Sequence, residues 1–460
     1  MAPSQTLPGE VRSVWTSDRG TMARDTALNR WPKIVQGMMN DIQERSHGVC
    51  DGEGTETERL GILAALRQLK SDIESDEPLR YEDAGQHEGA TLTSLSPLQN
   101  MTGLDATDFN KRLASLGRCS WHSCPWLYGE CYLYRRVQSI FTASNHWKGY
   151  DVFNRDKESA LTKSAAAVVE LANRYLQLSP RDLGEAPAKK LFMEMTEIAL
   201  WGNATDLSLL HDLSLEDMQK LQGNTAIEEG RRNVVANDLD AVWHHLRQGP
   251  TLSDRRIDII LDNAGFELFA DILYACYLHE AGLASKIVLH AKCFPWFVSD
   301  AVIADVESLL VHLESDSVFP VRQSLDILTP QIRSIFDAGT LSVVAHPFWT
   351  SAASFHELPT AAADLFEDLR GSHLTIWKGD LNYRKLTKDG LWPHTTPFKV
   401  ALGPLGSGSA VRVLALRTNK SDTCVGVESE SKVQMLDKEA PGKAWVRNGK
   451  YAVMSFSDGK

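Results

Sequence analysis

The chain has 460 residues, 43% hydrophobic and 23% charged, a balance that supports a large core without disulfide staples. Forty-eight basic and 60 acidic side chains leave a net charge of −12, which argues against nucleic acid or an anionic membrane as the main partner. Apolar runs break at charges well short of the roughly 20 residues that a membrane helix needs. The first residues lack the basic start and apolar stretch of a secretory signal. Seven scattered cysteines, an odd count, fit a reducing compartment. That places the protein in the cytoplasm, with the nucleus left open.

Residues 1–250 read as mainly helical. Apolar residues recur at helical spacing over Thr26–Arg45 (Leu28, Trp31, Ile34, Val35, Met38) and Thr57–Glu74. The polar stretch Asp76–Asn100 reads as a loop. Further helices are expected over Pro125–Phe141, Ala160–Leu176, Lys189–Leu200 and Ile227–Leu246. Cys119, Cys124 and Cys131 surround Trp121 and His122, but their spacing fits no zinc knuckle, so structural thiols are expected.

Gly249-Pro250 punctuates the chain, and residues 251–460 follow a different grammar. Strands are expected at Ile257–Leu261, Lys286–His290, Ser342–His346, Leu374–Trp377 and Arg412–Leu416. Helices should lie between them at Phe266–His279, Asp300–His312, Thr329–Phe336 (Thr329 as N-cap, Pro330 first) and Ala361–Leu369. The alternation predicts an α/β fold with a doubly wound, mainly parallel sheet behind an N-terminal helical domain. Gly403–Ser409 reads as a surface loop, because no Lys-Thr pair follows it as in a nucleotide loop. The tail Ala444–Ser455 reads as an edge hairpin around Asn448-Gly449.

Four of the expected strands end in polar groups: Asp262-Asn263, the run Ala291–Asp300, Lys378–Lys385, and Arg417-Thr418-Asn419-Lys420. In a parallel sheet all four open on one edge, where α/β proteins bind ligands. Asp262, Asn263 and Asp300 would offer an all-oxygen shell, which selects Mg²⁺ or Mn²⁺ over Zn²⁺. Nearby Arg and Lys would neutralise a phosphate. The same residues also suit blander roles. Asp262-Asn263 could form an Asx turn capping a helix, and Asp300 could be an N-cap. The basic residues at 378, 384 and 385 could line a solvated face, and Arg417 and Lys420 could end a strand at the surface.

Taken together, Asp262-Asn-Ala-Gly-Phe-Glu-Leu-Phe269, Phe294-Pro-Trp-Phe-Val-Ser-Asp300, Lys378-Gly-Asp-Leu-Asn-Tyr-Arg-Lys385 and Arg417-Thr-Asn-Lys420 resemble the metal-dependent damage-control phosphatases. The resemblance is to the acidic residue methyltransferase-like branch. Pro125–Arg136 and Leu200–Ser208 are similar to helical-domain segments of that branch, and the likeness spans roughly residues 20 to 455. It implies a Rossmann-like catalytic domain over 251–460 and a divalent metal on Asp262, Asn263 and Asp300. Mn²⁺ or Mg²⁺ is expected, with Co²⁺ or Ni²⁺ also serving. It implies substrate contacts from Asp262, Asn263, Glu267, the run Asp380-Leu381-Asn382-Tyr383-Arg384 and Lys420. Catalytic roles fall to Asp262, Asp380 and Lys420. His346-Pro347 and the Gly403–Ser409 insert match nothing in the family pattern.

The function expected is hydrolysis of small phosphate esters, sugar phosphates such as fructose 1-phosphate or fructose 6-phosphate, with no obligate protein partner. Lys420 and Arg384 would steady the phosphoryl oxygens. Attack by Asp262 and attack by water are both compatible with the sequence. In the helical half, Glu130, Arg135, Asn203 and Asp206 stand in polar-aromatic segments, and Asn203 is expected to roof the site and touch the sugar. The alternative is an S-adenosylmethionine-dependent carboxyl methyltransferase, although no Gly-rich turn follows the first expected strand. A non-catalytic binding protein on the same fold is the third reading.

Overall fold

The computed structural model describes residues 11–44, 53–80, 106–178, 183–202, 232–248 and 251–460. Its centre is a seven-stranded sheet in the order β1-β7-β6-β5-β2-β3-β4. The strands are β1 (Val234–Asn237), β2 (Arg256–Ile260), β3 (Lys286–Ala291), β4 (Leu341–Ala345), β5 (Leu374–Lys378), β6 (Val413–Thr418) and β7 (Ala452–Ser457). Five of them, β6-β5-β2-β3-β4, run parallel to their neighbours, while β7 is antiparallel to β6 and parallel to β1. The inner strands β5 and β6 are buried at every position. Such strands have no polar face, so apolar runs were a sound signal for them.

Chain direction across the sheet fixes where a ligand can sit. From β2 the chain moves outward through β3 and β4, then crosses back to β5 on the other side of β2. The crossovers leaving β2 and β5 therefore part in opposite directions. They open a crevice beyond the carboxyl ends of these two strands.

Both faces of the sheet are covered. One core packs Leu289, Ile376 and Leu414 against Phe269, Leu273 and Leu328. The same core takes in Val168, Leu171, Phe192 and Leu200, so helices Ala165–Leu176 and Glu185–Trp201 lie with the sheet although they precede residue 250. The opposite face buries Trp349, Phe355, Trp377 and Trp445. A third core belongs to the N-terminal helices Trp31–Glu44, Glu53–Glu74 and Trp126–Thr142, and it accepts Phe294, Trp296 and Leu381 from the α/β layer.

Several expected elements shift. Helix Ile227–Leu246 is replaced, among its described residues, by β1 and a helix at Leu239–Arg247. The two valines of β1 are buried against β7, so sheet pairing overrides the local helical pattern. Helix Ala160–Leu176 breaks at Ser164. The helix expected from Thr329 begins at Gln323 and carries Pro330 inside it. Leu325, Leu328 and Ile332 bury one face of that helix, and this packing outweighs the lost backbone bond. The tail is no hairpin: Pro441–Val446 is a 3₁₀ turn, and only Ala452–Ser457 pairs as a strand. Most of the expected loop Asp76–Asn100 lies outside the described residues.

One ion cluster ties the helical layer to the sheet. Arg384 donates from Nε and Nη2 to the two oxygens of Asp389, both at 3.0 Å, and from Nη1 to Glu130 of helix Trp126–Thr142 at 2.7 Å. Its guanidinium lies 3.6 Å from the ring centre of Trp126. All three charged partners are buried. Removing one side of a buried pair leaves the other charge uncompensated, at about 3–5 kcal/mol. Asp389→Ala should therefore lower the unfolding free energy by about that amount, as read from denaturant melts.

Candidate active site

Helix Gly379–Leu386 follows β5 with no connecting residue. Gly379 sits there at φ +82°, and a Cβ on it would lie 2.0 Å from Asp262 Oδ2. Only a residue without a side chain lets the backbone approach the carboxylate this closely. Asp262 ends the extension of β2, so the crevice between β2 and β5 is closed at its base by a carboxylate resting on bare backbone.

The second wall comes from the run after β3. Phe297 and Val298 adopt φ of +46° and +71°, a conformation that β-branched residues avoid. The turn is held by Asp300 N–H donating to Trp296 O and Ala264 N–H to Ser299 O. It carries Asp300 into an isolated bridge with Asn263, and Ala301 N–H donates to Asp262 O at 2.7 Å. Asn263 is fixed in orientation. Its amide nitrogen donates to Asp262 Oδ2 and Glu267 Oε2, both at 2.7 Å, and its oxygen accepts from Ser299 at 2.5 Å.

These groups line a cavity of about 430 Å³ with Glu130, Glu267, Asp380, Leu381, Arg384, Lys420 and Arg30 among its walls. Of the expected site residues, Asp262, Asn263, Glu267, Asp300, Asp380, Leu381, Arg384 and Lys420 thus converge. Asn382 and Tyr383 do not line it. Asn382 spends its amide on the carbonyls of Ile260, Leu261 and Lys378, while the Tyr383 hydroxyl accepts from Val425 N–H. Both side chains are buried beneath the site. Asn203 and Asp206 lie outside the described residues. Glu130 reaches the cavity, whereas Arg135 lines a separate one beside His346 and Pro347.

The surface reading of the cations is overturned. Lys378, Arg384, Lys385 and Arg417 are all buried. Lys378 Nζ holds Glu267 at 3.0 Å and Asp271 at 2.6 Å. Lys385 donates to the carbonyls of Ser351 and Trp349 and lies over the Phe355 ring, and burial pulls its pKa down to about 8. Arg417 Nε donates to Asp380 Oδ1 at 2.7 Å, and the Lys420 N–H and Ser421 hydroxyl donate to the same oxygen at 3.0 Å each. The Arg-Thr-Asn-Lys run therefore aims Asp380, whose other oxygen takes none of these bonds. Lys292, which the sequence did not single out, stands 3.1 Å from Asp300 and donates to Leu261 O. A single lysine after a strand resembles any surface lysine, so no local signal marked it.

The donor set suits a hard cation. Among the described residues no three His, Cys, Asp or Glu side chains gather as a metal cage; Asp262 and Asp300 would need the carboxamide oxygen of Asn263. Oδ2 of Asp300 is buried without a well-formed hydrogen bond. Burial, then the nearby Glu267 and Asp300 carboxylates, push the Asp262 pKa well up. Burial raises Asp300 as well, with Lys292 opposing. A divalent ion would join Lys292 in answering Asp300 Oδ2 and relieve the crowding of negative charge.

The damage-control phosphatase ARMT1-like domain model matches residues 26–436. The chain belongs to this family. Damage-control phosphatase ARMT1 of Danio rerio is 32% identical, covering 99% of this chain and 98% of its own length. The proteins of the same name from Mus musculus and Homo sapiens are 29% and 28% identical, each over 95% of this chain and 97% of their own. A DUF89 family protein from Pyrococcus horikoshii covers 94% of this chain at 11% identity with a TM-score of 0.43. The protein is thus an enzyme of the damage-control phosphatase class, and its family points to a divalent metal and small phosphate esters. No described helix is long and apolar enough to cross a membrane.

Two outcomes follow for a damage-control phosphatase with this site. Gly379→Ala should fold but lose any rise in melting temperature that an added divalent ion gives, because the added methyl displaces Asp262. The second is a pH effect. A carboxyl whose pKa is raised by folding keeps its proton where the unfolded chain has lost it. That stability is present at low pH and falls as pH rises through the raised value. A metal ion displaces the proton, so stabilisation by an added divalent ion should grow as pH rises above the ordinary carboxylate range. Thermal melts with and without metal across a pH series would measure it.

Proposed function

We propose that the enzyme hydrolyses sugar phosphates, fructose 1-phosphate and fructose 6-phosphate among them, with Mn²⁺ or Mg²⁺ on Asp262, Asn263 and Asp300. Co²⁺ and Ni²⁺ would also serve. The observation that carries this reading is the pairing of two buried carboxylates and an oriented carboxamide with Lys420 across one cavity. The reading places the protein in the cytoplasm, acting without an obligate protein partner, where its six described cysteines remain free thiols.

The bound cation would withdraw charge from the phosphoryl group as a Lewis acid. The remaining steps fall to side chains. Lys420 donates to a phosphoryl oxygen, where an ammonium acts as a point charge. Asp380, with Oδ1 fixed by Arg417, turns its other oxygen toward a sugar hydroxyl or the entering water and can accept a proton. Glu267, braced by Lys378, holds the Asn263 amide nitrogen, and the cation would share that residue's oxygen with the Ser299 hydroxyl. Leu381 supplies an apolar wall. Arg384 is a poor phosphate clamp, because three of its donors already serve Glu130 and Asp389; its part is to position the helix that carries Asp380.

Methyl transfer would use none of this charge. Phosphate release from fructose 1-phosphate should therefore require added Mn²⁺ or Mg²⁺, stop with chelator and ignore S-adenosylmethionine. Asp300→Ala should abolish metal-dependent turnover, and Lys420→Ala should lower kcat about a hundredfold. Methyl transfer to protein carboxylates that survives chelation, with no phosphate released, would overturn the reading.

A further inference from the structure

The cavity exceeds what a phosphate group fills. At about 430 Å³ it falls in the size range of whole small-molecule sites. Its buried end holds Asp262 and Asp300, and its exposed end is marked by Arg30.

Arg30 is placed there by an unusual piece of backbone. Between the helical turn Met22–Asp25 and helix Trp31–Glu44 the chain makes a π turn, Thr26–Arg30. Such turns widen the helix by one residue and occur often at functional sites. The next residue, Trp31, is fully buried, with its indole nitrogen 3.5 Å from Glu130. Arg30 is therefore anchored at its backbone and forms part of the cavity wall.

The guanidinium forms no hydrogen bond or ion pair with any described residue. Its two fellow cations in the lining are committed. Arg384 is held by Glu130 and Asp389, and Lys420 is assigned to the scissile phosphate. A planar guanidinium without a hydrogen-bond partner among the described residues matches a carboxylate or phosphate through two parallel bonds, whereas a hydroxyl accepts only one.

We propose that Arg30 is a specificity-determining residue that selects phosphate monoesters whose leaving group carries a second anion, a carboxylate or another phosphate. This rests on the phosphatase reading for the scissile group. A ketose bisphosphate would then be preferred to the matching monophosphate.

The test compares fructose 1,6-bisphosphate with fructose 1-phosphate on the metal-loaded full chain, in wild type, Arg30→Met and Arg30→Lys. The wild-type ratio of kcat/KM should favour the bisphosphate. In Arg30→Met that ratio should fall about tenfold, through KM, as expected for one lost charge-assisted contact. Arg30→Lys should recover part of it. An unchanged ratio would overturn the proposal, as would a fall confined to kcat. Calorimetric binding of the bisphosphate to chelator-treated protein separates the two readings. If wild type releases no phosphate from either ester, the phosphatase reading fails, and weaker binding in Arg30→Met then decides the role of Arg30 alone.

Discussion

The contact between the Asp262 carboxylate and the bare backbone of Gly379 governs the rest of the site. It joins the ends of β2 and β5 at the point where the crossovers diverge, so a charged group occupies the deepest place in the crevice. A carboxylate buried there destabilises the fold unless something answers its charge. Much of the surrounding architecture is that answer. Asn263 donates to it, Lys292 stands behind it against Asp300, and Lys420 faces it across the cavity. The positive φ values at Phe297 and Val298 have the same origin. The chain turns sharply there to return Asp300 to Asn263, and the buried Trp296 holds the turn down.

Buried charge is arranged in two tiers. Lys378 and Arg417 sit beneath the cavity and Arg384 in its wall, each paired with carboxylates of a different element. Their partners bring together the helix after β2, the helix after β5 and the N-terminal helix of Trp126. These pairs contribute little net stability against well-packed apolar replacements. What they contribute is orientation: Glu267, Asp380 and the helix start at Gly379 cannot move independently. Above them lie the groups that meet solvent and ligand. Precise aim in the upper tier requires the lower tier, which explains the number of fully buried cations on so acidic a chain.

The sequence made the sheet legible because β2, β3, β5 and β6 are apolar runs that end in polar residues, a pattern that survives without any alignment. It made the lining legible because Asp262, Asp380 and Lys420 follow such runs directly, and Asp300 closes the segment that leaves β3. It failed where tertiary contact overrides local preference. Val234–Asn237 lies within a stretch expected to be helical and becomes a strand through β7, just before helix Leu239–Arg247. Asn382 and Tyr383 belong to the right segment, yet residues on successive faces of a one-turn-per-3.6-residue helix cannot all point at one ligand. The blander reading of Arg384 and Arg417 as surface cations stayed open because their partners, Glu130 and Asp380, are distant in sequence. Arg30 lay inside an amphipathic helical pattern that gave no sign of the π turn.

The helical layer does more than cover the sheet. Were it only a cap, its contacts with the α/β layer would be apolar and interchangeable, as Trp296 and Leu381 in the N-terminal core are. Glu130 is neither. It accepts from Trp31 on one oxygen and from Arg384 on the other, so one carboxylate connects the helix that follows Arg30 to the helix that carries Asp380. Both edges of the cavity are referred to the same buried atom pair. Displacing the Trp31 helix would shift the exposed rim and loosen the Asp380 helix together. The two ends of a bound ester would therefore be held at a set separation by Glu130, although the residues that touch them come from opposite halves of the chain.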